Sequence, residues 1–193
     1  KSVALIMDSS GHPASVGRLD AYKAAREKFG WESSDSLMHF TMVTDQVSGY
    51  DATQKFLSEN PQITAVVAFN DLLAMGVYQA AKELNLRIPE DLSIVGFDDL
   101  DLISAGLRPG LTTVRLPHLK MGKLAVERLI QRCESEDELI REKVEILCEL
   151  VERQSIAAPR TWALSVSADP AEKNAVRTQI TNYEGNTIYV SNA

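Results

Sequence analysis

Over the first hundred positions, apolar residues fall into short unbroken runs separated by stretches where they recur every three or four residues. The runs SVALIM (2–7), HFTMVT (39–44), AVVAF (65–69) and LSIVGF (92–97) read as strands, mostly covered on both faces. Helical spacing puts Leu19, Tyr22, Ala25 and Phe29 on one face of a helix over 16–29, ended by Gly30. Tyr50, Thr53, Phe56 and Leu57 do the same over 49–59, closed by Asn60-Pro61. Leu73, Gly76, Val77, Ala80, Ala81 and Leu84 form the packing face of a third helix. Its expected cap is Asp71, its stop is Asn85, and Pro89 bars continuation. This alternation predicts an α/β fold with a doubly wound parallel sheet and right-handed crossovers.

After Asp99 the pattern changes. Residues 100–110 read as a loop with Gly106, Pro109 and Gly110, and LTTVRL as a strand stopped by Pro117. A helix runs from Leu119 to about Cys133, with Leu119, Val126, Leu129, Ile130 and Cys133 largely on one side. CESEDELIREK is a charged, solvated connection, and VEILCELVER alternates as a strand with one wet face. From Ile156 the regularity is lost. TQITNYEGNTIYVSNA reads equally as a hairpin around Glu184-Gly185-Asn186 or as a tail.

Composition narrows the classes. The chain has 193 residues and a net charge of −7 with no Lys/Arg cluster, so it should not hold duplex nucleic acid by itself. Cys133 and Cys148 form no CxxC and sit in no His/Cys group, which predicts free thiols on apolar faces in a reducing, cytoplasmic compartment. No metal or cofactor is expected, and no run is long enough to span a bilayer. The chain starts almost directly in a strand, so a piece of something longer is expected.

Two polar pairs carry the chemistry: Asn70-Asp71 and Asp98-Asp99, each at the end of an apolar strand. Carboxyl ends of parallel strands are where ligands bind, and one crossover would aim both pairs into a single crevice. Asp98 can accept from two vicinal hydroxyls, Asn70 can donate and accept, and Asp99 reads as a loop cap. Arg18 either faces the strand ends, where its fork suits paired oxygens, or lies on the helix surface. His12 and Ser15 are in reach of the same cleft from the first strand-to-helix loop. Phe69 and Phe97 should pack between sheet and helices, or stack on a sugar face. GxSxG, P-loop and GxGxxG patterns are missing, as is the lysine that a phosphoacceptor pocket needs, so no catalytic residue is assigned.

In order, the chain reads strand-NDxxAMG-helix, IPEDLSIVGFDD, loop, LTTVR, PxxxMGxxAxxxL and ELVxRxS. Over about Ser2 to Pro159 this series resembles the effector-binding core of the lactose-repressor/galactose-repressor (LacI/GalR) family of bacterial transcription regulators. The resemblance implies a periplasmic-binding-protein type I-like fold of two lobes. Residues 1–110 would form the carboxyl-terminal lobe and 111–140 a segment of the amino-terminal lobe. Residues 141–159 would be a return strand, and 160–193 a tail or the start of a further segment. It also implies a small effector, often a sugar or nucleobase, contacted by Arg18, Asn70 and Asp98 as the lobes move. A homodimer would form near Met75, Tyr78 and Gln79, and DNA would be bound only through a domain outside this chain. The other half of the cleft would also lie outside it, so the 119–133 helix would show an apolar stripe and the chain should self-associate or dock it elsewhere. A solute-binding receptor of a transport or sensory system is the alternative on the same fold.

Overall fold

The computed structural model describes residues 2–31, 35–134, 143–158, 178–181 and 187–190. Strand β1 (Ser2–Asp8) leads into helix α1 (Pro13–Phe29), and a short 3-10 turn (Asp35–Leu37) into β2 (Met38–Thr41). Then come α2 (Gln46–Glu59), β3 (Ile63–Ala68), α3 (Asp71–Glu83) and β4 (Ser93–Asp98). A one-turn helix α4 (Asp101–Ser104) precedes β5 (Thr112–Arg115), α5 (His118–Glu134) and β6 (Glu149–Val151). These six strands form one sheet in the order β2-β1-β3-β4-β5-β6. All neighbours are parallel except β6, which runs antiparallel to β5 with Val114 opposite Leu150.

The expected α/β class and parallel sheet are present, and the differences have local causes. Helix α1 begins three residues early because Pro13, with φ preset and no N–H to satisfy, opens it behind the cap His12. Helix α2 likewise begins at Gln46, since Asp45 accepts from the Ser48 N–H at 2.8 Å. That cap shortens the predicted second strand to four residues. Asn85, at φ 57°, takes the left-handed conformation that ends α3 while Leu86 N–H bonds back to the Ala81 carbonyl. Leu84, expected on the packing face, is 36% exposed at that end. Only Glu149–Val151 of the predicted last strand pairs with the sheet. The charged connection over 135–142 and the stretch 159–177 lie outside the described residues.

β1 is buried along both faces and so divides the core. Leu5 and Met7 pack with Tyr22 of α1 on one side, while Ala4 and Ile6 join Phe56, Leu73 and Val77 of α2 and α3 on the other. The two helices on that second side touch through backbone. A Cβ on Gly76 would meet the Gln46 carbonyl oxygen at 2.2 Å, and one on Gly49 the Leu73 carbonyl oxygen at 2.3 Å. Helix α5 contrasts with them: none of its residues is buried, and Leu119, Val126, Leu129 and Ile130 are all exposed, as expected of the apolar stripe. Cys133, on the same stripe, and Cys148 are free and also exposed. Residues 161–193 form a separate compact unit, where β7 (Thr178–Thr181) pairs antiparallel with β8 (Thr187–Val190). The expected turn at 184–186 lies outside the described residues.

The glycine contact yields a paired test. Gly76→Ala should destabilise the chain by about 3 kcal/mol, because neither backbone can give way. Gly122→Ala in α5, with nothing within 4 Å, should instead gain about 1 kcal/mol from helix propensity. Urea melts of both variants read the difference, and equal midpoints would contradict the close approach.

Candidate ligand-binding site

The strand order reverses between β1 and β3, whose helices leave to opposite faces of the sheet. In an open parallel sheet that reversal opens a crevice outside the carboxyl ends. Here it is edged by Asp8 of β1, by Phe69 and Asn70 after β3, and by Phe97 and Asp98 of β4.

Arg18, one turn into α1, reaches across this edge. Its Nη1 donates to the Phe69 carbonyl at 2.6 Å, and its guanidinium carbon lies 3.6 Å from the Phe97 ring centre and 4.2 Å from that of Phe69. Nη2 stands 3.8 Å from Asp98 Oδ1, with the two side chains 20% and 24% exposed. Arg18 therefore faces the strand ends, and both phenylalanines pack against it. Burial pulls its pKa below the ordinary arginine value, with Asp98 opposing. At Asp98 burial dominates too and pushes the carboxyl up, against the pull of Arg18 and His118. The φ of Asp98 is 108°, a conformation that L side chains rarely adopt, as is the 55° of Asp99.

The other expected contacts are placed differently. Asn70, rather than Asp71, caps α3: its backbone is extended (φ −147°, ψ 175°) and its Oδ1 accepts from Leu73 N–H at 2.9 Å. Its Nδ2 donates to the Thr44 carbonyl at 3.3 Å, and it is 7% exposed. One N–H and one lone pair remain for a ligand. Asp71 turns into the core instead, taking bonds from Thr113 Oγ1 (2.6 Å) and Leu100 N–H (2.7 Å). Burial raises its pKa despite those bonds. Gly96 leaves the room, since a Cβ there would lie 2.4 Å from Asp71 Oδ1. His12 accepts from Ala14 N–H through Nδ1 at 3.2 Å, so that nitrogen closes the helix end. Ser15 is buried and donates to Asp8 Oδ2 at 2.6 Å. Ser10 and Ser15 together hold the Asp8 carboxyl below its ordinary pKa.

Asp99 exceeds its expected role as a loop cap. It accepts from Ser104, and also from Arg115 and Arg153. Sequence reasoning singled out neither arginine, because each partnership joins residues remote along the chain, and it passed over Asp8, whose partners Ser10 and Ser15 are near in sequence. Met75 is half-buried and Gln79 exposed on α3, whereas Tyr78 is 7% exposed with its hydroxyl donating to the Pro109 carbonyl. These three line a separate groove of about 780 Å³ between α3 and the 85–90 and 107–109 loops. Among the described residues no group of three His, Cys, Asp or Glu could hold a metal, and no helix is long and apolar enough to cross a membrane.

Residues 1–156 match the periplasmic binding protein-like domain. The chain belongs to that family. The ribose operon repressor of Escherichia coli (strain K12) is 34% identical over 138 residues, 72% of this chain and 41% of that protein. The HTH-type transcriptional repressor PurR of Edwardsiella ictaluri (strain 93-146) is 38% identical over 110 residues, 57% of this chain and 32% of that repressor. A sugar-binding transcriptional regulator of the LacI family from E. coli, solved with phosphate, superposes with a TM-score of 0.72 at 28% identity. That match covers 82% of this chain and 55% of the other. The chain thus carries an effector-binding core of the LacI type and spans less than half the length of the two repressors. Those relatives are repressors and not enzymes.

Asp98 yields a stability prediction. Its folded pKa lies above the unfolded value, so its contribution is fully present below pH 3.8 and is lost as pH rises through the folded value. Asp98→Asn, permanently neutral and more tolerant of positive φ, should therefore be more stable than the parent at pH 7 by about 1 kcal/mol. The gap should close toward pH 3. Thermal melts at both pH values check this, and a variant less stable at pH 7 would reverse the sign.

Proposed function

We propose that this chain is part of a bacterial transcription regulator, in which a small neutral polar effector, a sugar, binds at the strand ends between Arg18 and Asp98. One observation carries the reading: a guanidinium packed on two phenylalanines and a carboxylate 3.8 Å away stand together at the crevice. The pair is too far apart for mutual hydrogen bonding, so the guanidinium keeps donors and the carboxylate keeps acceptors for ligand hydroxyls. Asn70 adds its remaining donor, while His12 and Ser15 shape the loop beneath.

The printed names of the relatives support the class: a ribose operon repressor, and a regulator solved with cellobiose. In this reading, residues 1–110 belong to the carboxyl-terminal lobe, whose sheet β5 and β6 join through β4, and α5 leads toward the amino-terminal lobe. Effector binding biases the lobe arrangement in a cytoplasmic homodimer. DNA is bound by a domain outside this chain. The exposed stripe of α5 is the face that the remaining part of such a core would cover.

Isothermal titration of ribose, cellobiose and other neutral sugars tests this, on the full chain and on a form spanning the relatives' length. Arg18→Ala and Asp98→Ala should each weaken the sugar that binds by about 1.5–3 kcal/mol, the range of a charged hydrogen bond. Variants that bind as tightly as the parent would remove the proposed site. For the dimer, Met75→Asp with Gln79→Arg on the outer face of α3 should shift sedimentation from dimer to monomer. A parent already monomeric at micromolar concentration would overturn that part.

A further inference from the structure

Two consecutive non-glycine residues, Asp98 and Asp99, hold left-handed backbone conformations at φ 108° and 55°. The second of them is where the surroundings take hold. The Asp99 side chain is 1% exposed and accepts 2.7 Å bonds from Ser104 Oγ, Arg115 Nε and Arg153 Nη2. Burial works against its charge, but these bonds outweigh it and hold the carboxyl below its ordinary pKa.

The three donors come from three segments. Ser104 belongs to α4, Arg115 ends β5, and Arg153 lies just past β6. The arginines are fixed in turn. Arg153 Nη1 donates to the Leu111 carbonyl at 2.8 Å and its N–H to Thr112 Oγ1 at 2.9 Å. Arg115 Nη1 donates to Glu149 at 3.2 Å. The neighbouring backbone is held as well: Leu100 N–H bonds to Asp71, and Leu116 N–H to the Asp98 carbonyl at 3.4 Å. One bend therefore ties β5 and β6 to the carboxylate that faces Arg18.

We propose that Asp99, clamped by Arg115 and Arg153, is a positioning residue: it holds Asp98 in its ligand-facing conformation and makes that conformation depend on where β5 and β6 sit. The role of Asp98 toward a ligand rests on the reading in the preceding subsection, whereas the clamp stands on the contacts alone. Coupling of this kind is reciprocal, so a ligand that stabilises Asp98 also biases the two strands.

The test uses the full chain, with the Arg18 Nε–H and Asp98 carboxylate carbon followed by NMR alongside titration of neutral sugars. Asp99→Asn keeps shape and removes charge, while Asp99→Gly permits the left-handed backbone without an anchor. Both should displace the Arg18 and Asp98 signals, and should weaken the sugar by about tenfold, equal to 1.4 kcal/mol. Arg115→Gln, at a half-exposed site, should move the same signals less, and it decides the question if the Asp99 variants do not fold. Unchanged signals would overturn the clamp, as would an Asp99→Gly variant matching the parent. If the parent binds no sugar, the ligand reading fails while the signals still decide the clamp.

Discussion

Because β1 sends its helix to one face of the sheet and β3 sends its helix to the other, the two helix starts diverge at the carboxyl edge. Neither backbone can fill the gap between them. The chain closes its own helix ends there: His12 Nδ1 takes the Ala14 N–H and Asn70 the Leu73 N–H. The side chains that reach over this edge are Arg18 from one face and Asp98 from β4, the strand beyond β3. Their separation of 3.8 Å matters as much as their charge. A closer pair would satisfy itself, whereas this one keeps hydrogen-bonding capacity while remaining mutually attractive.

Three acidic residues in this neighbourhood show how environment assigns roles. Asp71 is enclosed, fully hydrogen-bonded and raised in pKa by burial, which makes it a packing element opposite Gly96. Asp98 is raised as well but only loosely paired, the condition of a group whose interactions are incomplete. Asp99 is equally enclosed, yet two arginines and a serine keep it ionised. Removing one partner from such a cluster leaves a buried charge uncompensated, which is far costlier than losing a surface ion pair such as Lys123–Glu127.

The family relationship explains a feature that would otherwise be anomalous in a folded domain. Helix α5 shows Leu119, Val126, Leu129 and Ile130 to solvent, and Leu147 before β6 and Leu150 within it are exposed too. Each large apolar side chain left uncovered forgoes about 1.5–3 kcal/mol of burial. The chain spans 41% of the ribose operon repressor, so an unpartnered face is consistent with a core of which this is one part.

Much of the fold was legible in the residues themselves. Continuous runs such as LSIVGF, helical spacing from Leu73 to Ala81 and stops at Gly30 and Asn85 express local preferences that tertiary packing reinforced. The site was legible in part: Arg18, Asn70 and Asp98 come to one edge because strand ends in a parallel sheet share an edge. Tertiary structure alone decided which of two adjacent polar residues does what. Asn70 and Asp71 exchange their expected capping role because extended φ/ψ belongs to the first and a Thr113 hydroxyl awaits the second. The arginine clamp on Asp99 and the Gly49–Gly76 contact were equally invisible, since they join residues 16 to 54 positions apart and 27 positions apart, and no local pattern encodes a partner at that distance.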